Sequence, residues 1–541
     1  MEQKIAQLIT NLFGVEVDVK LTRPDPQFGD YSTNVAMQLA RPLGKSPREI
    51  AETLATALRE TGEYADVTVA GPGFINVTLA DEALLAAMTA HPARLRAHES
   101  AVIEVYNPNP FKDLHIGHAY NCITADTLAN LLEQSGVATH RVSYHGDVGL
   151  HVGKSMWAIL KFMDGDMATL EATAKDERAA FMSRMYIEGA QAYKDDEAAK
   201  AAIERLTKQS YGFEDDFEQR VYDVCKAWSF DYITATVARL GSKPAERRYL
   251  ESEADTLGVA TVKQHVGSVF EESDGAIVFP GEQYGLFTNV FVSSRGTGLY
   301  AARDLGLMQL KQRDFNPQKS YIVTGDEQRA YFNVVIKAAE LSLPELKDVT
   351  VNIPTGTVKL STGKMSSRTG DVLNIEWLFD RLHEAARERG EVQEAVIIAA
   401  LRYAFLKVRI GSDIIFDVNE ALSIEGNSGP YLQYAHARAR TILAKSQQTG
   451  VEPIELDSAE RMLVSKIGEY NEVVQAASEQ LLPHLLCTYL YELSQIFNRF
   501  YEQSRVIGDA REAQRLFIVE RYANVLRDGL TILGIPAPAQ L

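Results

Sequence analysis

The spacing of apolar residues divides this 541-residue chain into three stretches of different rhythm. The first opens with a short amphipathic segment, passes the turn-rich RPDPQFGDY (23–31) and takes up helical spacing through IAETLATALRE (50–60). Strand-like ends follow on either side of a Gly-Pro-Gly turn in VTVAGPGFINVTL (67–79). A small α+β domain over residues 1–90 is predicted.

In the second stretch, 100–390, the two periods alternate. The run AVIEVY (101–106) precedes a helical pattern from His115 to about Gln134, closed by Gly136, and ATHRVSYHG (138–146) resumes the strand pattern. Two apolar runs flanking one helix predict a βαβ unit and a parallel, Rossmann-like sheet. Residues 165–220 read instead as a helical, acid-rich insertion, with YKDDEAAK and GFEDDFEQR on its polar faces. From 391 to 541 only helical patterns appear, among them EVQEAVIIAALRYAFLKVR, GPYLQYAHARARTILAK and PHLLCTYLYELSQIFNRFYEQ. The chain is thus predicted to be a multidomain α/β protein: a small α+β domain, a parallel-sheet domain and an all-α bundle.

Where strand gives way to helix, residues 104–118 read EVYNPNPFKDLHIGH. Pro108 and Pro110 forbid a helix there, because proline lacks an N–H and pushes the preceding residue out of the helical region. The loop after a parallel strand lies at the carboxyl edge of the sheet, and the helix that follows presents free N–H groups and a positive dipole end suited to phosphate. Lys112, His115 and His118 add donors at that edge, and Gly117 leaves room for a flat base against the backbone. In isolation an HxxH pair is as well an incidental helix feature, or two zinc ligands without a third.

Composition narrows the classes. With 46% hydrophobic and 24% charged residues the chain is an ordinary globular protein. The most apolar stretch, AVIIAALRYAFL (395–406), is broken by Arg402 and too short for a bilayer, and MEQKIAQLIT lacks the basic-then-apolar order of a secretory signal, so a cytoplasmic location is expected. Cys122, Cys225 and Cys487 are too scattered for a metal clip or a disulfide framework. A formal charge of −18 argues against indiscriminate nucleic-acid binding and leaves a selective RNA partner open.

The second chemical motif is VKLSTGKMSSRTGDV (358–372), in which Gly363 and Gly370 bracket Lys364, Ser366, Ser367 and Arg368. Cations and hydroxyls between glycines suit a loop that closes over a polyphosphate. Together, HIGH at 115–118 and KMSSR at 364–368 resemble the two signatures of class I aminoacyl-tRNA synthetases. The resemblance implies a nucleotide site of His115, Gly117, His118, Lys364, Ser366, Ser367 and Arg368, with ATP and Mg2+ as co-substrate and no protein-bound structural metal.

Several stretches are similar to the arginyl family in particular. Glu104 and Asn109 hold the places of that family's strand glutamate and loop asparagine; YAARD supplies Tyr300 and Asp304; Gln328 in GDEQRAYF matches a family glutamine. The resemblance implies that Glu104 and Asp304 face the guanidinium of L-arginine while Asn109 and Gln328 hold its α-amino and carboxylate end. A guanidinium offers five donors in a planar fork, so carboxylates are the groups that would read it. QFGDYSTNVAMQLA (27–40) and GPGFINVTL (71–79) look like the family's N-terminal tRNA-elbow domain, with Phe74 to stack on a base and Asn76 to hydrogen-bond it. IEGNSGPYLQYAHARARTIL (424–443) resembles the start of its anticodon-binding domain, where Tyr431, Tyr434, His436, Arg438 and Arg440 interleave aromatic and cationic groups.

Some positions depart from that pattern. AYN follows HIGH where Leu-Arg is usual, and HGDVGLHVGK (145–154) replaces a Gly-Asp-Trp-Gly-x-Gln pattern, which puts the adenine and ribose contacts around His145, Asp147 and His151 in doubt. Ser367 stands where many class I enzymes carry a second lysine, and Lys112 is expected to replace that charge. The implied protein is a monomeric arginine–tRNA ligase acting on tRNA(Arg) and activating arginine only with tRNA bound. Two readings stay open beside it: another class I synthetase, the cysteinyl type being nearest in plan, and a non-catalytic tRNA-binding paralogue.

Overall fold

A computed structural model describes residues 1–91, 94–361, 373–390 and 393–541. The first region contains α1 (Glu2–Phe13), β1 (Tyr31–Thr33), α2 (Val35–Leu43), α3 (Pro47–Glu60), β2 (Tyr64–Ala70), β3 (Phe74–Leu79) and α4 (Asp81–Thr89). Ser46 starts α3 by accepting from the Glu49 N–H, with Pro47 in the first turn where its missing donor costs nothing. The strands run antiparallel in the order β1-β3-β2, and the β2–β3 turn places Gly71 and Gly73 at positive φ. Ile50, Leu54 and Leu58 of α3 share a core with Ile75 and Val77 of β3.

β4 (Ser100–Tyr106) is buried on both faces, as a central parallel strand must be. The chain continues through α5 (Ile116–Gln134), β5 (Ala138–His145), and then five helices: α6 (Leu150–Met163), α7 (Met167–Glu171), α8 (Arg178–Asp195), α9 (Glu197–Gln209) and α10 (Asp216–Arg239). This helical segment is longer than the 165–220 expected, because the more apolar α6 and α10 that flank the acidic helices pack with them in one core. There follow β6 (Arg247–Leu250), α11 (Glu251–Gln264), the antiparallel strands β7 (Glu271–Ser273), β8 (Ala276–Phe279) and β9 (Asn289–Val292), and α12 (Tyr300–Phe315). β10 (Lys319–Gly325), α13 (Arg329–Ser342), β11 (Thr350–Thr355), β12 (Val358–Leu360) and α14 (Ile375–Arg387) complete the region.

The main sheet is parallel throughout, in the order β11-β10-β4-β5-β6. From β4 the chain crosses to β5 on one side while β10 pairs on the other, so a crevice opens at the carboxyl ends of β4 and β10. Open α/β sheets bind their ligands at such a switch point.

The last region holds α15 (Glu394–Leu406), β13 (Ile414–Phe416), α16 (Val418–Ala421), α17 (Gly429–Lys445), α18 (Ser458–Gly468), α19 (Tyr470–Gln480), α20 (Pro483–Gln503) and α21 (Glu512–Ile532). One strand corrects the expectation of helices alone: β13 pairs in parallel with β12. Its three apolar residues are too few to show a period. The bundle shares its core with the sheet domain, and the fully buried Arg402 joins them by donating to Asp126 Oδ2 of α5 (2.7 Å), to the Leu240 carbonyl (2.9 Å) and to the Leu533 carbonyl beyond α21 (2.6 Å). The small N-terminal domain docks on α18 through Arg461, which donates to Asp30 and the Leu79 carbonyl at 2.8 Å each. Among the described residues no helix is long and apolar enough to cross a membrane.

Candidate active site

A cavity of about 870 Å³ occupies the crevice, lined by β4, the loop after it, the first turn of α5, and the carboxyl ends of β5 and β10. His115 is the N-cap of α5. Its Nδ1 accepts from the His118 N–H (3.4 Å) and His118 Nδ1 accepts from the His115 N–H (3.2 Å), while the two rings stack 3.6 Å apart. Burial holds both imidazoles below their ordinary pKa, His118 at about 3, and the nearby Lys112 charge adds to the effect. Each ring is therefore neutral and spends Nδ1 as an acceptor, so its proton sits on Nε2. The helix start thus offers two Nε2–H donors beside its own dipole end. A Cβ on Gly117 would come within 3.1 Å of the His115 ring, which explains the glycine between the two histidines.

The preceding loop is laced to the end of β5. The Tyr144 N–H donates to Asn107 Oδ1 (3.0 Å) and the Gly146 N–H to Asn109 Oδ1 (2.9 Å). His145, fully buried, lies 2.6 Å through Nδ1 from the Pro108 carbonyl. Asp147 accepts from the Ser252 N–H and hydroxyl, and His151 reaches the Gly146 carbonyl. His145, Asp147 and His151 therefore brace this loop and stay off the cavity wall, so the departures in 145–154 fall on bracing groups. Lys112 is exposed and outside the cavity lining, close enough to His115 and His118 for its charge to act on both, with no hydrogen bond or ion pair among the described residues.

Acidic groups gather deeper in. Glu104, 3% exposed, accepts from Lys311 Nζ and from Asn107 Nδ2, each at 2.6 Å, so both its oxygens are engaged. Asp304 accepts from the Tyr331 hydroxyl (2.5 Å); burial, with Glu104 and Glu251 nearby, pushes its carboxyl up to about 7 against the opposing pull of that hydrogen bond. Glu251, the first residue of α11, gives Oε2 to Arg303 Nη1 (2.8 Å) and has no donor on Oε1 among the described residues. Arg303 also donates to Asp255 and the Gly298 carbonyl. Tyr300 is 65% exposed at the mouth, and Gln328 and Asn109 line other parts of the wall. The Tyr144 hydroxyl is buried without a partner among the described residues. Four carboxyl groups, Glu104, Glu251, Asp255 and Asp304, against the two cations Lys311 and Arg303 leave this end prepared for a cationic guest.

Sequence reasoning missed Glu251, Arg303, Lys311 and Tyr331. Glu251 carried the same signal as His115, a strand running into a helix start, and Arg303 stands beside Asp304 in YAARD. Lys364, Ser366, Ser367 and Arg368 lie outside the described residues. The chain on either side of them borders the cavity: Val358 and Lys359 line it, and Leu373 accepts from the Ile116 N–H (2.9 Å).

Two further surfaces carry the expected RNA-binding residues. Phe74 is exposed on β3, whereas Asn76, two residues along the same face, is buried. On α17 the Arg438 guanidinium lies 5.1 Å from the Tyr434 ring and 5.9 Å from that of Tyr501, over a groove of about 920 Å³ that also contains Lys445, Arg505 and Leu541. Tyr431 stands outside this groove, its hydroxyl accepting from Asn498, which in turn accepts from Arg438. His436 is buried against the Pro538 carbonyl, inside the bundle and away from the groove.

A parallel sheet whose switch point is faced by a HIGH helix start, with a helical bundle locked behind it, defines a class I aminoacyl-tRNA synthetase. Residues 81–418 match the family model "tRNA synthetases class I (R), catalytic domain", 1–79 match "Arginyl tRNA synthetase N terminal domain" and 432–541 match "DALR anticodon binding domain". The chain belongs to the arginyl family of class I tRNA synthetases. It is 28% identical to an arginine–tRNA ligase of Bdellovibrio bacteriovorus, over 96% of this chain and 93% of that one, and 28% identical to one of Picosynechococcus sp., over 99% and 98%. The fold matches that of Thermus thermophilus arginyl-tRNA synthetase with a TM-score of 0.82 at 24% identity, over 100% of this chain and 99% of that one.

Proposed function

We propose that the chain joins L-arginine to the 3′ end of tRNA(Arg) in two steps, with the roles below for its residues. In the first, an arginine carboxylate oxygen attacks the α-phosphorus of ATP, the bond to the β-phosphate oxygen breaks, and pyrophosphate leaves. In the second, a terminal ribose hydroxyl of the tRNA attacks the arginyl carbonyl, gives up its proton, and AMP leaves. His115 and His118, as neutral Nε2–H donors, and the N-terminus of α5 hold phosphate oxygens. Lys112 meets the charge that develops as pyrophosphate departs, and Lys364, Ser366, Ser367 and Arg368 act from the nucleotide side. Mg2+ enters on the ATP phosphates, as its preference for phosphate oxygens and water favours.

The guanidinium end goes to Asp304 and the free oxygen of Glu251, with Tyr300 over the mouth. Glu104, already engaged by Lys311, contributes its field and fixes Asn107. Asn109 and Gln328, both on the cavity wall, take the α-amino and carboxylate groups. Phe74 stacks on the tRNA elbow, and Tyr434 with Arg438 takes a base of the anticodon loop, supported by the cationic groove they share.

The observation that carries the reading is the pairing, in one cavity, of the His115–His118 donor pair with a partly unbalanced carboxylate cluster. Offering each labelled amino acid in turn to bulk tRNA tests it: arginine alone should become esterified. Charging with another amino acid, or none, contradicts it.

A further inference from the structure

Phe111 is a bulky side chain in the left-handed region, φ 62°, where its Cβ crowds the backbone. It is fully buried, immediately before Lys112 in the loop that leads to HIGH. No glycine relieves this strain, so surrounding groups must impose it.

Those groups come from the helical segment between β5 and β6. The Phe111 N–H donates to Ser229 Oγ of α10 (3.1 Å), and its carbonyl accepts from Ser155 Oγ of α6 (3.1 Å). Ser229 in turn donates to the Cys225 carbonyl (2.9 Å), which fixes its hydroxyl as an acceptor. The ring stacks on Tyr222 of α10, with centroids 5.6 Å apart and planes 15° from parallel, within the core of that helical segment. Tyr222 is itself held, donating to the Asp147 carbonyl (2.9 Å). Both backbone polar groups and the side chain of one strained residue are thus captured by helices that contribute nothing to the sheet.

We infer that the helices spanning 150–239 are a clamp on the active-site loop: Ser155, Ser229 and Tyr222 hold Phe111 left-handed, and that conformation aims Lys112 at the leaving pyrophosphate. Phe111 is a positioning residue, and the inference rests on the reading of Lys112 given above. An ordinary backbone conformation at 111 would swing the next side chain elsewhere.

The test is a double-mutant cycle in the full-length enzyme with tRNA present, reading arginine-dependent ATP–pyrophosphate exchange. Ser155→Ala with Ser229→Ala leaves the apolar packing in place; Ser155→Ala alone is the milder variant should the pair fold poorly. Misplacement by about 1 Å costs on the order of 10²-fold in rate at most, so kcat should fall about 10-fold or more while the arginine KM stays within about 2-fold. Lys112→Ala alone should cost about 10²-fold, and only a few-fold when added to the serine variants, because the lysine is already displaced. Normal kcat in the folded serine variants, or fully additive losses, overturns the clamp. Normal kcat for Lys112→Ala with the serine variants impaired would instead overturn the role of Lys112.

Discussion

With the guanidinium placed at Asp304 as proposed above, arginine binding is expected to release a proton. In the ligand-free site burial lifts its carboxyl to about 7, above an ordinary value of 3.8. Ionising it there costs roughly 4 kcal/mol more than in water, since each tenfold change in an ionisation constant is worth about 1.4 kcal/mol. A guanidinium at hydrogen-bonding distance reverses this by favouring the charged form. Only the ionised fraction is competent, about one tenth at pH 6 and about nine tenths at pH 8, so the apparent arginine affinity should rise close to tenfold across that interval. The sign for folding is opposite. A carboxyl whose folded-state pKa is raised leaves stability intact below about pH 4 and loses it progressively as pH climbs toward 7. Arginine should therefore raise the thermal midpoint more at pH 8 than at pH 6. The assay is calorimetric titration of arginine at pH 6, 7 and 8 in two buffers of different ionisation enthalpy, with tRNA bound, counting the protons released. About half a proton is expected at pH 7, where a group of that pKa is half titrated. A pH-independent affinity with no proton release, or an affinity that falls as pH rises, would refute the reasoning; Asp304→Asn should bind more weakly without the pH dependence.

Glu251→Gln neutralises a carboxylate whose Oε1 has no donor among the described residues and weakens the hold on Arg303; the arginine KM should rise by the equivalent of about 1.5 to 3 kcal/mol, with the ATP KM nearly unchanged. Tyr434→Ala combined with Tyr501→Ala strips the rings from the α17 groove, and steady-state charging should show a tRNA KM raised by about 1 to 3 kcal/mol per lost stack while kcat changes less. Tyr144→Phe deletes a buried hydroxyl that has no partner among the described residues, so scanning fluorimetry of the ligand-free protein should register a gain of about 1 kcal/mol, and a loss would mean the hydroxyl is already bonded.

Much of the architecture was legible because local signals agreed with one another. The helix expected from His115 to Gln134 is α5, with His115 as its N-cap, since the prolines before it and Gly136 after it leave little choice of ends. The apolar runs on either side of α5 marked β4 and β5 as strands of a parallel sheet. What escaped depends on distant partners. Lys311 reads as an ordinary helix charge until the fold carries it to Glu104, far back along the chain, and the upward shift of the Asp304 carboxyl follows from burial that no local pattern encodes. Asn76 and His436 carried the right chemistry in the right order, yet their burial is set by β-strand register and by the C-terminal tail at Pro538. Backbone strain at Phe111 is likewise invisible in a sequence, where Pro-Phe-Lys suggests only a turn.

The central claim is that charge complementarity at Asp304 and Glu251 selects the amino acid. Citrulline tests it directly, being nearly the shape of arginine with a neutral urea in place of the guanidinium. Charging of tRNA(Arg) with labelled arginine and labelled citrulline, compared as kcat/KM, should favour arginine by about 10⁴-fold or more, as sites built around hydrogen bonds to one polar group do. Comparable charging of the two would contradict the account.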